Sequence, residues 1–339
     1  MSPDDGTPAQ LLRPLEAERG VRHLLLAPVF NDFAAARLFA EHLERALPAA
    51  LRAELLLVLV DDGSTDPAGF APQAAGGIGL AVLRLRTNMG HQRAIAVALG
   101  LLSHWLAADA VVTVMDADGD DRPEDLPRLI EAVRARPDCI VVANRARRSE
   151  SVGFRVGYRL YRLLYRVLTG HDIRHGNFSA MTGRLAARLA FAPSLWNHYA
   201  ATIDKSRLPV LGLEVDRGLR FDGESRMNMV SLMVLGLSAI SVHIEAVGVR
   251  MLVAFLLLSA VAVAGGIAVA LIRLLTPLAI PGWASTLVGL SAVLAALGLA
   301  SSVQLIFMVL AARERRPIIA AVDTARFVES VTLVRGRAR

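Results

Sequence analysis

Four aspartates follow one predicted strand closely, and their spacing suggests a metal chemistry. The strand is Val111–Met115, a run of apolar or β-prone residues. The acids after it are Asp116, Asp118, Asp120 and Asp121. Like charges gathered at a strand end repel one another, and a divalent cation relieves that cost. Hard carboxylate oxygens suit Mg²⁺ or Mn²⁺, although an acidic turn that caps a helix N-terminus is the alternative.

The elements that must position these acids alternate along the first half of the chain. Because the predicted strands are continuously apolar, they indicate a mostly parallel sheet covered by helices on both faces, an α/β fold. Strands are predicted at His23–Phe30, Leu55–Val60, Ala81–Arg86, Val111–Met115 and Ile140–Ala143, with helices at Phe33–Leu47 and Pro123–Arg134 and another ending near Trp105. Ligands of such sheets bind at the carboxyl ends of the strands. The first, second and fourth strands all end in loops that contain Asp or Asn, so we expect the site there.

Composition limits the classes of protein. The chain has 339 residues, 54% of them apolar, and a net charge of +6. Its mean hydropathy of +0.46 is high for a wholly soluble protein. A single cysteine, Cys139, excludes an internal disulfide and fits a reducing compartment. No Gly-x-Gly-x-x-Gly follows the first strand, which excludes a dinucleotide-binding dehydrogenase, and the N-terminus lacks the pattern of a signal peptide.

A basic segment follows the last strand of this series. Between positions 145 and 166 there are seven arginines and one acid, Glu150. Arg155, Arg159, Arg162 and Arg166 have the spacing of one helical stripe. Such a helix can lie on an anionic membrane surface, and a solvated basic face is the alternative. Nucleic-acid binding is not expected, because aromatic stacking partners and a recognisable module are missing.

Two long apolar segments near the C-terminus predict a membrane hairpin. Residues 251–272 are 22 positions without a charge. A helix of that length rises about 1.5 Å per residue and reaches roughly 33 Å, enough for the hydrocarbon core. Residues 274–312 are also uncharged, and Pro277 and Pro281 interrupt them near the start, so residues 286–310 are predicted as a second span. A buried core hairpin is the alternative.

Charges that flank the two spans predict their orientation. Arg250 precedes the first span, and a group of three arginines follows the second: Arg313, Arg315 and Arg316. The positive-inside rule therefore places both ends in the cytoplasm, although Arg273 on the outer side counts against this. The expectation is a multi-pass protein of the cytoplasmic membrane whose large domain faces the cytoplasm.

The predicted domain organisation follows from these segments. It comprises a loosely ordered N-terminus at 1–20, an α/β domain at 21–227, an interfacial amphipathic helix at 228–248, two transmembrane helices within 249–312, and a cytoplasmic basic tail at 313–339.

Five motifs follow one another along the chain: APVFND (Ala27–Asp32), VDDGSTD (Val60–Asp66), NMGHQRAIAVALG (Asn88–Gly100), MDADGDDRPEDL (Met115–Leu126) and RGLRFDGESRMN (Arg217–Asn228). Together they resemble the motifs of family 2 glycosyltransferases. More narrowly, they resemble the polyprenyl-phosphate glycosyltransferases, which include dolichol-phosphate mannose synthase and bactoprenol glucosyltransferase. The resemblance runs from about residue 22 to 250, and the membrane hairpin matches the bactoprenol branch. It implies a GT-A fold, a nucleotide-sugar donor, a divalent metal, Mg²⁺ or Mn²⁺, and inversion at the anomeric carbon.

The resemblance implies a donor site made of several loops. In the first loop, Pro28, Phe30 and Asp32 match the family's Pro-x-Tyr-x-Glu positions, with Phe30 in place of the usual tyrosine. Asp62 matches the acid that contacts the base or ribose. A late segment matches the loop that closes over the donor diphosphate. Its matching residues are Arg217, Arg220, Ser225 and Arg226, the last in place of a lysine.

The same resemblance assigns the metal to the acidic turn. Asp116 and Asp118 match the family's Asp-x-Asp motif, and Asp118 is expected to be a direct ligand. Asp120 stands where the family often has glutamine, which also reaches the metal. The family sequence after the motif is Leu-Gln-Asp-Pro-Pro, and this chain has Gly-Asp-Asp-Arg-Pro instead. Asp120 therefore either tightens the metal site or shifts the metal.

The acceptor side is implied in the same way. Arg145 matches an arginine that holds the acceptor phosphate, and Arg155 and Arg159 are candidates for a second contact. One position departs from the pattern: bactoprenol-type members often have an aspartate, a proposed catalytic base, where this chain has Asn177. A phosphate acceptor is already anionic at pH 7, so it needs no base. Asp172 is the candidate substitute.

The resulting hypothesis is transfer of one sugar from a UDP- or GDP-sugar to polyprenyl phosphate at the membrane. Two alternative hypotheses of function are also compatible with the sequence. One is transfer to another membrane lipid through a hydroxyl group, which needs a base. The other is a non-catalytic membrane scaffold with a degenerate nucleotide-binding fold. The sequence identifies neither the sugar nor the nucleotide base, and it leaves homo-oligomer formation open.

Overall fold

The computed structural model of the chain describes residues 7–65, 77–145, 152–172, 175–216, 218, 220–221, 229–276, 282–314 and 316–337. The chain forms two compact units. The first comprises Met1–Tyr158, Ile173–Val242 and Pro317–Arg339, and the second comprises Arg159–Asp172 and His243–Arg316.

The first unit is built on one eight-stranded sheet. Its strands are β1 (His23–Val29), β2 (Leu55–Asp61), β3 (Gly79–Leu85), β4 (Val111–Val114), β5 (Ile140–Arg145), β6 (Ser179–Thr182), β7 (Val210–Val215) and β8 (Val328–Arg335). The spatial order is β7-β5-β6-β4-β1-β2-β3-β8. Strand β1 lies at the centre and pairs in parallel with both β2 and β4. The carboxyl ends of these three strands therefore meet at one edge.

Helices cover the sheet on both faces. The helices of the chain are α1 (Pro8–Leu12), α2 (Phe33–Ala46), α3 (Ala49–Glu54), α4 (His91–Leu102), α5 (Leu126–Ala135), α6 (Val152–Thr169), α7 (Gly183–Ala190), α8 (Tyr199–Lys205), α9 (Met229–Ser241), α10 (Ile244–Leu275), α11 (Trp283–Glu314) and α12 (Ala320–Asp323). Leu24 and Leu26 of β1 pack in one core cluster with α4 and α7. Leu25, between them, packs in the other with α2 and α5. The strands are apolar on both faces for this reason, and the predicted GT-A architecture is confirmed.

Antiparallel strands complete the sheet on either side of its parallel centre. Strand β6 pairs antiparallel with β4 and with β5. Strand β5 pairs in parallel with β7.

The N-terminal segment differs from its prediction. Residues 7–18, expected to be loosely ordered, form α1 and a 3₁₀ helix, Arg13–Glu18. Thr7 and Gln10 form a reciprocal capping box at the start of α1. Leu12 and Leu15 are buried in the core cluster that includes α4. Burial of these two leucines explains the order, because each removes a large apolar side chain from water.

The C-terminal segment also differs from its prediction. Instead of a basic tail, residues 317–337 form α12 and β8, which pairs antiparallel with β3. Val328 and Val331 of β8 are buried, and Arg337 Nε lies 2.5 Å from Glu18 Oε2. A strand at this position covers the edge of β3, whose backbone groups would otherwise be unpaired.

The second unit contains two long apolar helices. Helix α10 and residues 283–311 of α11 have mean hydropathies of 2.6 and 2.3, and each is long enough to cross a membrane. Only 11% of each apolar window is buried within the structure, so neither helix is the covered core helix of a soluble protein. Ser259 Oγ of α10 lies 3.2 Å from the Ala295 carbonyl oxygen of α11. The predicted spans lie inside these helices, and the predicted interfacial segment is divided into α9 and the start of α10.

Candidate active site

The loops after β1 and β2 are joined through one asparagine. Asn31 has a left-handed backbone with φ of 50°, which asparagine tolerates better than most residues. Its backbone N–H donates to Ser64 Oγ at 2.9 Å, and its side-chain oxygen accepts from the Thr65 N–H at 2.9 Å. Asn31 thus fixes the first loop to the second. The sequence analysis missed this role, although an asparagine after a strand is a turn signal.

Asp62 holds the third loop to the second. Its two carboxylate oxygens accept the N–H groups of Met89, at 2.7 Å, and Gly90, at 2.8 Å. Burial raises the pKa of the Asp62 carboxyl to about 6, against the lowering effect of these hydrogen bonds. Asp61, also buried, accepts from the Ser64 N–H at 2.9 Å. Asp62 therefore has a structural role here, and its contact with a donor stays a prediction.

The residues predicted for the first donor loop lie at the end of β1. Pro28 is in the strand, Phe30 is 41% exposed just beyond it, and Asp32 precedes α2. An exposed aromatic ring at the carboxyl edge of a parallel sheet is available for stacking. The assignment of these three residues to the donor stays a prediction.

The acidic turn after β4 is folded by its own carboxylates. Asp121 is buried, and its Oδ2 accepts from the Asp116 N–H at 3.0 Å. Asp118 Oδ1 accepts from the Asp120 N–H at 3.0 Å, across Gly119, whose φ is 92°. The four acids thus have different functions in the fold: Asp121 shapes the turn, while Asp116, Asp118 and Asp120 are partly exposed at the sheet edge.

A second segment docks on this turn. The N–H of Gly218 donates to the Asp120 carbonyl, and the N–H of Phe221 donates to the Asp118 carbonyl, each at 2.9 Å. Between them, Arg220 Nη1 lies 3.2 Å from Asp118 Oδ2. The buried Nε of Arg220 has no hydrogen-bond partner among the residues that the structure describes. The structure thus pairs a late arginine with the acidic turn, a contact that the sequence did not predict.

Other predicted residues of the late loop lie outside the described residues. These are Arg217, Ser225 and Arg226. Their assignment to the donor diphosphate stays a prediction.

The acidic turn carries partly exposed carboxylates of the kind that bind a divalent cation. Among the described residues, no group of three or more His, Cys, Asp or Glu side chains is arranged to hold a metal ion. Mg²⁺ is commonly held by one or two carboxylates together with substrate phosphates, so a full protein cage is not required. Asp116 and Asp118 are the candidate carboxylates for such a cation, and their assignment to a metal, like that of Asp120, stays a prediction.

The predicted acceptor arginines are placed along β5 and α6. Arg145 is the last residue of β5, and Arg155 and Arg159 belong to α6. The side chains of Arg145 and Arg155 lie outside the described part of the chain, whereas Arg159 is exposed. Their contact with an acceptor phosphate stays a prediction.

Helix α6 carries an exposed apolar stripe. The stripe consists of Leu160, Leu163, Leu164 and Val167, each at least half exposed. In the same unit, Arg162 binds both carboxylate oxygens of Asp172 at 2.6 Å. Asp172 is thus held in a two-oxygen ion pair, a poor arrangement for the substitute base suggested from the sequence.

His175, two positions before Asn177, has a side chain that is only 5% exposed. His175 Nε2 lies 3.1 Å from Asp204 Oδ1, and its Nδ1 lies 3.1 Å from the Gly176 carbonyl oxygen. Since both ring nitrogens face oxygen acceptors, these contacts favour the protonated form of the ring. Burial alone would lower the pKa of His175, but the hydrogen bond and the charge of Asp204 raise it above its ordinary value. The two residues are 29 positions apart, and no local pattern links them.

Comparison with known proteins points to one family. Residues 26–191 match the family described as Glycosyl transferase family 2. The chain is 31% identical over 223 residues to an undecaprenyl-phosphate 4-deoxy-4-formamido-L-arabinose transferase of Pseudomonas aeruginosa (strain LESB58), covering 62% of each chain. It is 30% identical over 224 residues to the protein of the same name from Edwardsiella ictaluri (strain 93-146), covering 62% of this chain and 64% of the relative.

One solved structure is also similar in outline. It is glucosyl-3-phosphoglycerate synthase from Mycobacterium tuberculosis in complex with Mn²⁺ and UDP-glucose, with a TM-score of 0.47 and 15% identity over 72% of this chain and 84% of that one. The chain spans less than two thirds of the length of the curated relatives it matches. The matched segment runs from within β1 through β6 and contains the acidic turn. Residues 26–191 thus form a domain that matches glycosyltransferase family 2.

Proposed function

We propose that the protein is a membrane-anchored, metal-dependent inverting glycosyltransferase that moves one sugar from a UDP- or GDP-sugar to polyprenyl phosphate. The observation that carries the proposal is the pairing of Asp118 with Arg220 at the carboxyl edge of the sheet. A carboxylate suited to a cation and an arginine suited to a phosphate lie together there, as a metal-bound nucleotide diphosphate requires. The relatives named as undecaprenyl-phosphate transferases support the acceptor.

The donor would lie across the loops at this edge. Phe30 stacks on the nucleobase, with Pro28, Asp32 and Asp62 shaping that end of the site. Asp118, assisted by Asp116, holds Mg²⁺ or Mn²⁺, and Asp120 adds negative charge beside them. When bound, the cation neutralises charge on the diphosphate.

Donor closure is assigned to the late segment. Arg220 donates to the diphosphate oxygens, and Arg217, Ser225 and Arg226 complete the loop over them. These groups stabilise the charge that develops on the leaving group as the sugar departs.

The chemical step is a single displacement. A phosphate oxygen of the lipid attacks the anomeric carbon from the face opposite the diphosphate. The new carbon–oxygen bond forms as the bond to the diphosphate breaks, and the electron pair leaves with the nucleoside diphosphate. A phosphate monoester is already anionic at pH 7, so no side chain has to remove a proton. This favours polyprenyl phosphate over a lipid hydroxyl, because Asn177 cannot act as a base.

The lipid acceptor is located in the membrane that anchors the protein. Arg145, Arg155 and Arg159 are the candidates for its phosphate. The apolar stripe of α6 and helices α10 and α11 give the chain contact with lipid, and the positive-inside rule places the first unit in the cytoplasm.

Direct assay of the product tests the proposal. The full-length protein in detergent is incubated with undecaprenyl phosphate, Mn²⁺ and a panel of nucleotide-sugars, including a nucleotide-linked 4-deoxy-4-formamido-L-arabinose. We expect a mild-acid-labile lipid-linked sugar with one member of the panel. No such product across a broad panel would sink the proposal.

A further inference from the structure

A line of hydrogen bonds within the first unit ends on the acidic turn. The Tyr199 N–H donates to Gln92 Oε1 at 2.6 Å, and Gln92 Nε2 donates to Asn177 Oδ1 at 3.0 Å. Asn177 Nδ2 in turn donates to Asp116 Oδ1 at 3.3 Å. The four residues come from α8, from α4, from the loop before β6 and from the turn after β4. We call this line the amide relay.

The direction of the amide relay is fixed by its first member. A backbone N–H can only donate, so the Gln92 oxygen must face Tyr199 and its NH₂ group must face Asn177. The Asn177 oxygen then accepts, which leaves its NH₂ group to face Asp116. The orientations of both amides, which are often ambiguous, follow here from hydrogen-bond chemistry.

The start of the relay is rigid because it is buried. Gln92 is 8% exposed and Tyr199 is fully buried. The Tyr199 hydroxyl also lies 2.7 Å from Ser179 Oγ, which holds the start of α8 in place. Reversing the Gln92 amide would leave a buried N–H facing an NH₂ group, which is unfavourable because the buried donor would lose its acceptor. The relay therefore presents a donor to Asp116 and not an acceptor.

We propose that Asn177 is a positioning residue for Asp116, holding that carboxylate in one orientation toward the metal-bound nucleotide donor. The inference rests on the proposed function and deepens it. It also gives a reason for asparagine at this position: ionised aspartate has no N–H to donate and would place a second negative charge beside Asp116. Residue 177 therefore acts on the donor side of the site in this chain, and it does not accept a proton in the reaction.

The Asn177→Asp variant distinguishes two explanations for asparagine at this position: that it positions Asp116, or that a catalytic base has been lost. If position 177 positions Asp116, the variant loses about 10- to 100-fold in kcat, as is common when a residue that orients a metal ligand is changed. The Mn²⁺ concentration for half-maximal rate should rise, while the KM for undecaprenyl phosphate stays unchanged. Turnover equal to or above that of the wild type would overturn the inference, because the restored acid would then be harmless or useful.

The Gln92→Glu variant should reverse the direction of the hydrogen bond to Asn177, and the two side chains have nearly the same shape. A glutamate still accepts from the Tyr199 N–H but cannot donate to Asn177, whose amide should turn over and present its oxygen to Asp116. We expect a loss in kcat in the same direction as for Asn177→Asp, because the two residues act through one path. Full activity of folded Gln92→Glu would contradict the relay.

Binding measurements separate this inference from the proposed function. Calorimetry with Mn²⁺ and either UDP or GDP reports on the donor site without any transfer. About tenfold weaker Mn²⁺-dependent binding in both variants supports the inference even if no lipid product is found, and unchanged binding overturns it. A wild-type chain that binds neither nucleotide would overturn both proposals. Asn197→Asp, at an exposed position, is the matched control and should behave as the wild type.

Discussion

At the scale of single residues, the Asp118–Arg220 pair matters more for the proposed chemistry than for the stability of the fold. The two side chains are 27% and 24% exposed. Ion pairs at such partly solvent-exposed positions contribute little to the stability of the fold, because solvent screens the two charges. The pair therefore balances charge in the turn, and removing it should affect chemistry more than folding.

Asp118→Ala should abolish most transfer and leave the fold intact. We expect the initial rate of lipid-linked sugar formation to fall at least about 10²- to 10³-fold, since a group that fixes charge at the leaving group is lost. Asp109→Ala, at an exposed position, is the control and should keep normal activity. Near-normal turnover of the Asp118 variant would refute its assignment.

His175 predicts a pH dependence of stability. Its pKa in the folded chain lies above the ordinary value of 6.5, so the folded state binds more protons between these two values. The stabilisation is complete below pH 6.5 and is lost as the pH rises through the folded pKa. Buried His198, whose pKa is lowered to about 4, is neutral in both states above pH 6.5 and does not contribute there.

Thermal unfolding in detergent between pH 6.5 and 8.5 measures this effect. We expect the Tm of the wild type to fall with pH across this range. Asp204→Asn removes the charge that raises the pKa of His175, so its Tm should vary less. Identical slopes for the two proteins would show that His175 is not held protonated by Asp204.

At the scale of elements, the docked segment around Gly218 controls the geometry of the site. Its backbone bonds to the acidic turn at both Asp118 and Asp120. Any Cβ on Gly218 would collide with the Gly119 carbonyl oxygen, well inside van der Waals contact. Only glycine allows the two backbones to approach this closely.

Gly218→Ala should therefore move Arg220 away from Asp118. A displacement of about 1 Å near a reacting group can cost on the order of 100-fold in rate, so we expect a loss of this size in kcat/KM for the nucleotide-sugar. Gly77→Ala, where a Cβ would meet only an ordinary contact at 3.8 Å from Arg52, is the matched control. Unchanged kinetics of the Gly218 variant would mean that the docked segment does not set the site.

At the scale of the whole molecule, the chain leaves the first unit after Val242 and returns to it at Pro317. Strand β8, after the hairpin, pairs with β3, before it. Both ends of the hairpin must therefore lie on one side of any membrane that it crosses. This conclusion does not depend on the positive-inside rule. Sheet completion also has to wait until α10 and α11 have been synthesised.

Cysteine labelling tests this topology. Asp109→Cys in the first unit and Thr332→Cys in β8 should react with a membrane-impermeant maleimide from the same side in vesicles. Ser285→Cys, near the start of α11, should react from the opposite side. All three positions are exposed, and the natural Cys139 is buried, so background labelling should be low. Labelling of all three from one side would show that the hairpin does not span the bilayer.

Sequence patterns predicted what depends on neighbours along the chain. The strand ends that hold Asp62 and Asp118 were located correctly, since apolar runs followed by acids are local signals. Residues 7–18 and 317–337 were misjudged, because their order comes from burial against α4 and pairing with β3. Their own composition resembles that of ordinary termini.

The sequence by itself determined the family resemblance, the parallel core, the acidic turn and the two apolar helices, because each depends on residue type and short-range spacing. Only the tertiary structure decided the partners. It joined Asp118 to Arg220, 102 positions later in the numbering, and Tyr199 to Asp116 through Gln92 and Asn177. Hydrogen bonds have a direction that only contact in space can fix, so the role of Asn177 could not be deduced from its place in a motif.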